Sequence, residues 1–271
     1  MKKPPAILGK IAESTLIRVA KAKEALPLEQ IKNILPRPAP SFGAGQDQHE
    51  HYFERALSAQ GLSFICEVKK ASPSKGIIAE DFPWLEIAKE YEEGGAAAIS
   101  VLTEPEFFLG SELYLQEISA AVKIPTLRKD FIIDPYQIYE AKLWGAGAVL
   151  LICALLEPQT VSEYIKIADE LNLDCLVEIH SEDEANEAVS AGARIIGINN
   201  RDLTTFKVDT GLTARLKKQI PDWILTVAES GINNADDIRE LKDIKVDAVL
   251  IGESLMRASD KKQFLNSLRQ I

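Results

Sequence analysis

Ala148-Val-Leu-Leu-Ile-Cys153, the segment Pro158–Glu170, and Cys175-Leu-Val-Glu-Ile179 together make the stretch that decides the fold. The first and last are short aliphatic runs, broken only by Glu178. A strand with one wet face alternates apolar and polar residues. Continuous runs mark strands covered on both faces, as parallel strands are. The middle segment places Val161, Tyr164, Ile165 and Ala168 on one face at helical spacing. Pro158 stands at its start, where a helix tolerates a missing N–H. The stretch therefore predicts strand, helix, parallel strand.

The unit recurs on both sides. Phe64–Val68, Ala97–Leu102, Pro125–Leu127, Ile195–Ile198, Leu225–Ala228 and Ala248–Ile251 bring the apolar runs to eight. Phe82–Glu93 presents Trp84, Ile87, Ala88 and Tyr91 on one face, and Pro83 and Pro135 stand near further helix starts. Gly94-Gly95, Ala146-Gly147 and Ala191-Gly192 fall between helix and next strand, where a C-terminal glycine is expected. Eight such units predict an α/β fold, a (β/α)8 TIM barrel. An open doubly wound sheet is the alternative. It usually carries a glycine fingerprint after its first strand, and Glu67-Val-Lys-Lys-Ala-Ser72 is not one.

Residues 1–63 do not repeat the unit. Ile7–Leu26 is amphipathic and helical, Pro27 opens a shorter helix or turn to about Leu35, Pro36–Gly45 reads as a loop, and His51–Ala59 as a helix. This part has too little apolar material for its own core. The expectation is one domain over 1–271, an N-terminal helical extension (1–63) packed on a barrel (64–271).

Composition narrows the function. With 46% hydrophobic and 27% charged residues, disorder is excluded as the main state. The longest nearly uncharged apolar run, Ala146–Leu156, is 11 residues, and a membrane-spanning helix needs about 20. The start, Met-Lys-Lys-Pro-Pro, lacks an apolar signal core, so a cytoplasmic protein is expected. A net charge of -10 argues against a nucleic-acid or anionic-membrane surface. It leaves room for a small anionic substrate, because a few cations in one cleft outweigh the global sign locally. Cys66, Cys153 and Cys175 each sit in an apolar run, and their odd count predicts reduced, buried thiols.

A barrel does its chemistry where the C-terminal strand ends converge. There the sequence places Glu67 and Lys69, then Arg128, Lys129 and Asp130, then Glu178 and His180, then Asn199, Asn200, Arg201 and Asp202, then Glu229, Ser230 and Gly231, and last Gly252 and Glu253. Ionisable groups in apolar runs are costly unless paired or used, and the ensemble carries the signal. Alternation puts Glu67 with Lys69 on one face and Cys66 with Val68 on the other, so Cys66 is expected to face the helices. Glu178 shares a face with His180, and Asn199 with Arg201.

Blander readings stand beside these. Lys69-Lys70, taken alone, reads as a solvated pair after a strand, and Lys129 alone as half of a surface ion pair with Asp130. Glu178 is either paired or has a raised pKa suited to acid–base work. His49 and His51 flank Glu50 but lack a third ligand, so solvated loop histidines are expected rather than a metal site. Trp84, Trp144 and Trp223 are expected to pack. Gly231 and Gly252, each at a strand end, let backbone N–H groups approach an anion, and barrels often hold phosphate between these last two loops. Lys69 and Arg201 are the candidate cationic partners.

Phe64-Ile-Cys-Glu-Val-Lys-Lys-Ala-Ser-Pro-Ser-Lys-Gly76, Leu127-Arg-Lys-Asp-Phe131, Leu176-Val-Glu-Ile179, Ile196-Gly-Ile-Asn-Asn-Arg-Asp-Leu203, Val227-Ala-Glu-Ser-Gly231 and Leu250-Ile-Gly-Glu-Ser-Leu-Met256 resemble the indole-3-glycerol phosphate synthase family. The resemblance runs over nearly the whole chain, including the extension. It implies conversion of 1-(2-carboxyphenylamino)-1-deoxyribulose 5-phosphate to indole-3-glycerol phosphate, a carboxy-lyase step of tryptophan biosynthesis, with no metal or organic cofactor. It implies Lys129 as the general acid, Glu178 in acid–base chemistry and Glu67 with Lys69 assisting. Asn199, Arg201, Glu229 and Ser230 would line the site, Asn199 and Ser230 among its catalytic groups. Phe108, Phe131, Leu150 and Leu203 would wall the anthranilate ring. Lys69, Ser72, Gly231, Gly252 and Glu253 would take the phosphate. Where some relatives carry a small residue, this chain has Glu253, whose side chain is expected to turn away while its backbone N–H binds. The expected partner is the small phosphosugar-anthranilate molecule alone, with no nucleic acid and no membrane, on a monomer. Two rival readings stay open: another phosphosugar barrel enzyme, an isomerase or a Schiff-base aldolase using Lys129, and a non-catalytic phosphosugar-binding protein.

Overall fold

The computed structural model describes residue 2, residues 6–35 and residues 51–271. The expected loop Pro36–Gly45, and His49 with Glu50, lie outside the described residues. Eight strands, β1 (Ser63–Val68), β2 (Ala98–Leu102), β3 (Thr126–Lys129), β4 (Ala148–Ile152), β5 (Asp174–Ile179), β6 (Ile195–Asn199), β7 (Leu225–Glu229) and β8 (Ala248–Ile251), close into one parallel barrel in sequence order, with β1 paired to both β2 and β8. Nearly every strand residue is buried, which is why the runs carry no polar alternation.

Among the described residues, three helices precede the barrel: α1 (Ala6–Ala25), α2 (Leu28–Ile34) and α3 (Tyr52–Leu57). The strands then alternate with α4 (Trp84–Glu93), α5 (Glu112–Ala121), α6 (Tyr136–Leu143), α7 (Pro158–Glu170), α8 (Glu182–Ala191), α9 (Gly211–Lys217) and α10 (Ala235–Asp243), and α11 (Glu253–Arg257) and α12 (Lys261–Arg269) follow β8. Their starts are set locally. Ser181 accepts from the Glu184 N–H at α8, and Asn234 and Asp237 form a capping box at α10. Gly192, at φ 92°, closes α8 in the left-handed conformation that glycine adopts without cost.

Several expectations shift. The run Pro125–Leu127 is the strand Thr126–Lys129, because Arg128 and Lys129 continue the ladder opposite Val101 and Leu102. The helix expected from Phe82 starts after Pro83, and the one expected over His51–Ala59 shortens to α3. Alternation did not reveal a small hairpin that pairs Ala71–Ser72 with Gly76–Ile77 beside the barrel mouth. Trp223 is 70% exposed, so it does not pack as expected; its neighbour Ile224 takes the buried position before β7. Trp84 donates to Glu117 at 2.7 Å, and Trp144 lies under Arg128 at 4.2 Å.

The core runs through all strands and takes in Leu8, Ala12, Phe53 and Leu57 of the extension. A smaller cluster joins Val19, Ile31 and Leu35 to Tyr136 of α6. The extension is thus seated on the barrel through apolar contact. All three cysteines are buried and unpaired. Burial pushes the Cys66 thiol up, and its electrostatic neighbours Tyr91 and Arg269 belong to α4 and α12, so it faces the helices as alternation requires. Among the described residues, no helix is long and apolar enough to cross a membrane.

Candidate active site

The C-terminal strand ends open on a cavity of about 630 Å³, a size suited to a small organic ligand. Glu67 and Lys69 after β1, Lys129 on β3, Glu178 on β5, Asn199 on β6 and Glu229 on β7 all line it. Lys129 Nζ lies 3.4 Å from Glu178 Oε2 and 3.8 Å from Glu229 Oε2. Lys69 is ion-paired with Glu67. Ser230 Oγ donates to Asn199 Oδ1 at 2.9 Å, and the Arg201 N–H donates to the same oxygen at 3.0 Å. The structure therefore brings together the six residues expected to be catalytic.

Glu178 and Glu229 stand on strands separated by β6, and Gly197 of β6 lies opposite Glu178 in the ladder. A methyl group on Gly197 would fall 2.1 Å from Glu229 Oε1. The glycine leaves the space through which the Glu229 carboxyl reaches its neighbour. Burial opposes charge on both acids. For Glu178 that is outweighed by Lys129 and His180, with hydrogen bonds from Asn199 and Glu229, and its pKa is lowered. For Glu229, burial and the Glu178 charge act together and raise the pKa well above the ordinary value. Burial works against the Lys129 ammonium, yet Glu178, Glu229 and Glu67 more than restore it, and its pKa is raised. The three shifts favour an ammonium on Lys129, a carboxylate on Glu178 and a retained proton on Glu229. Of the two expectations for Glu178, pairing is the one realised. The carboxyl driven toward its neutral form is that of Glu229, which the sequence placed only in the lining.

Lys129 does not pair with Asp130. That carboxylate is buried on the opposite side of the strand, where Arg18 of α1 binds it through both nitrogens at 2.9 and 2.7 Å, with Arg128 at 3.1 Å and Thr103 at 2.8 Å. Its own burial would raise its pKa, but the two guanidiniums hold it well below the carboxylate range. The contact also pins α1, whose Ile7, Leu8 and Ile11 line the cavity. The extension thus forms part of the site wall, a point the sequence left open.

Phe108 and Phe131, with ring centroids 5.9 Å apart, form an apolar wall with Leu150 and Leu203. Ser72, Gly231, Gly252 and Glu253 line the cavity beside the hairpin and the β7 and β8 ends. Gly231 adopts φ 82°, and a side chain there would meet Val208. A methyl on Gly252 would collide with the Glu67–Lys69 pair at 2.3 and 2.9 Å, so this glycine makes room for the ion pair. The Glu253 carboxylate is engaged by Lys75 at 3.3 Å and Arg257 at 3.2 Å. Arg201 reaches the cavity and donates to the Phe206 carbonyl at 3.2 Å.

Sequence reasoning missed Gly197, Lys75 and the α1 contacts. Gly197 could have been found, since a glycine inside an aliphatic strand run marks a close approach. His51, expected to be solvated, instead contacts Asp174 and Arg194, each at 2.9 Å. His51, Glu54 and Asp174 could in principle surround a cation. The Arg194 guanidinium already fills that role, 2.7 Å from Glu54 and 3.3 Å from Asp174.

An ammonium set among acids of opposed proton affinity, at the mouth of a (β/α)8 barrel, defines a barrel enzyme site for acid–base chemistry on a small molecule. The fold is shared with 3-hexulose-6-phosphate synthase, whose solved structure matches at a TM-score of 0.64 and 14% identity, covering 77% of this chain and 99% of that one. The indole-3-glycerol phosphate synthase family model matches residues 8–268. An indole-3-glycerol phosphate synthase of Ruminiclostridium cellulolyticum is 54% identical over 263 residues, covering 97% of this chain and 98% of its own, and one of Lachnoclostridium phytofermentans is 49% identical over 269 residues, covering 98% and 99%. The chain belongs to the indole-3-glycerol phosphate synthase family, carboxy-lyases of tryptophan biosynthesis.

Proposed function

We propose that this chain closes the indole ring of 1-(2-carboxyphenylamino)-1-deoxyribulose 5-phosphate, releasing carbon dioxide and water to give indole-3-glycerol phosphate, with Lys129 as general acid. The observation that carries this reading is the Lys129 ammonium held between Glu178 and Glu229 inside the cavity. Attack of an aromatic carbon on the ketone builds negative charge on the carbonyl oxygen, and a buried ammonium donates the proton that quenches it. Loss of the carboxylate as carbon dioxide follows. The hydroxyl then leaves as water with a proton from an acid, and a base takes a proton from the adjacent carbon of the new ring, which completes the indole. Glu229 supplies a carboxylic acid and Glu178 a carboxylate for these two tasks, with the Glu67–Lys69 pair assisting. Asn199 and Ser230 orient the reacting groups through their mutual hydrogen bond.

Phe108, Phe131, Leu150 and Leu203 would hold the anthranilate ring. The phosphate would lie against Ser72, Gly231, Gly252 and the Glu253 backbone, with Lys69 and Arg201 supplying charge. The enzyme would act as a cytoplasmic monomer of a single domain. Indole fluorescence from the synthetic substrate tests the activity directly. Turnover by the parent and its loss in Lys129→Met supports the reading. Covalent trapping of Lys129 by borohydride in the presence of substrate would instead mark a Schiff-base aldolase, and binding without turnover would mark a carrier.

A further inference from the structure

His180 is a buried titratable group that the mechanism above leaves unused. It follows β5 directly and shares a face with Glu178. Its Nε2 lies 3.6 Å from Glu178 Oε1, and its Nδ1 lies 3.4 Å from Glu184 Oε2 in the first turn of α8. Glu184 Oε2 also accepts the His180 backbone N–H at 2.7 Å, which fixes the ring between the two acids. Both ring nitrogens are buried, and neither has a hydrogen-bond partner among the described residues. A neutral ring could offer a proton to only one of its two carboxylate neighbours, whereas an imidazolium offers one to each. His180 does not line the cavity. It stands behind Glu178.

We propose that His180 is a positioning residue: as an imidazolium bridged between Glu184 and Glu178, it turns the Glu178 carboxylate toward Lys129 and fixes Glu229 as the member of the facing pair that keeps the proton. The charged groups acting on it come from four elements. Glu178 on β5 and Glu184 on α8 favour its cation, and Lys129 on β3 opposes it. Asp202, after β6, also feels its charge. Lys2 and Glu187 form the next shell beyond Glu184. Burial works against the cation, but the two acids prevail and the pKa is raised. Without that cation, Glu178 and Glu229 would compete for one proton on more equal terms. Glu178 would then spend part of its time as an acid that cannot serve as the base.

The inference rests on the acid–base reading of Glu178, and its two tests fail separately from that reading. The chain has three histidines, so a ring-nitrogen NMR titration is simple, with His180→Gln assigning the signal. His180 protonated on both nitrogens at pH 7 supports the inference, whatever reaction the enzyme runs. A neutral ring at pH 7 overturns it. The second test is the pH profile of kcat for the parent, His180→Gln and Glu184→Gln. Removing the cation, or the acid that holds it, lets Glu178 take a proton at higher pH. The acid limb should move upward by half a unit or more in both variants, with kcat at neutral pH down about tenfold in His180→Gln and KM changed less than about threefold. A uniform loss of kcat with the limb unmoved would assign His180 a structural role and refute the inference. Should His180→Gln fail to fold, Glu184→Gln and the NMR titration of the parent decide the matter.

Discussion

Gly197→Ala tests how the carboxyl pair is built. The new methyl would stand 2.1 Å from Glu229 Oε1 and 3.2 Å from both Glu229 Cδ and Leu176 Cδ1, where ordinary contacts begin at 3.4 Å. The backbone of Gly197 is not left-handed, so alanine brings no strain of its own. What yields is the end of the Glu229 side chain, which must retreat by about 1 Å. A displacement of that size at a reacting group costs about a hundredfold, equivalent to about 2.7 kcal/mol of transition-state stabilisation. The retreat also separates Glu229 from Glu178, removing part of what holds its proton. Overpacking should cost roughly 1–3 kcal/mol of stability, which lowers Tm by no more than about 12 °C in a chain of this size. The assay is kcat/KM from indole fluorescence, with thermal unfolding followed in parallel. Glu229→Gln and the double variant complete a cycle. If the alanine acts only through Glu229, the double variant should lose little beyond Glu229→Gln alone. A folded Gly197→Ala enzyme with kcat/KM within about twofold of the parent would show that the close approach across β6 is irrelevant to turnover.

Three further outcomes follow from the same geometry. Lys129→Met should keep the far-UV spectrum and lose about 10²–10⁴ in kcat, the range for a removed proton donor; near-parental turnover would end its role as general acid. Asp130→Asn leaves the buried Arg128 guanidinium with one acid partner fewer and should cost about 3–5 kcal/mol by urea unfolding at pH 7. The Asp130 pKa is lowered on folding, so its contribution is present above the unfolded value near 3.9 and fades as pH falls below it; the parent and the variant should converge in strong acid, and a constant gap would contradict the pairing. Burial pushes the Cys153 thiol up to about 12, and Cys66 and Cys175 also upward. Iodoacetamide at pH 8 should therefore label the native protein at none of the three and the unfolded protein at all of them, as mass spectrometry would show.

The barrel was legible because its strands are covered on both faces, which leaves a plain mark in Leu176-Val-Glu-Ile179 or Ala148-Val-Leu-Leu-Ile152. The candidate site was legible for a related reason: Glu178 interrupts such a run, and a charge there needs a partner or a task. What stayed hidden depends on contacts across long sequence separations. Arg128 continues β3 because Glu140 and Asp130 neutralise it, and Asp130 is held from α1 by an arginine 112 residues away. No local pattern announces that pairing, so Lys129-Asp130 read as a surface ion pair. Trp223 failed for the opposite reason, since apolarity alone does not say which of two adjacent residues turns inward.

The proton inventory of the site follows from strand order more than from residue type. Glu178 and Glu229 have the same side chain and nearly the same burial, 2% exposed each, yet opposite pKa directions. The difference lies in their neighbours. Glu178 has Lys129 closer, at 3.4 Å against 3.8 Å, and alone has His180 behind it. Glu229 faces Glu178 through the gap left by Gly197, and the charge of that neighbour pushes its pKa up. Opposite proton affinities thus arise in two identical groups from a glycine between them and a cation on one side. A substitution that leaves both glutamates in place but alters either neighbour should change the pH dependence of turnover before it changes the affinity for substrate.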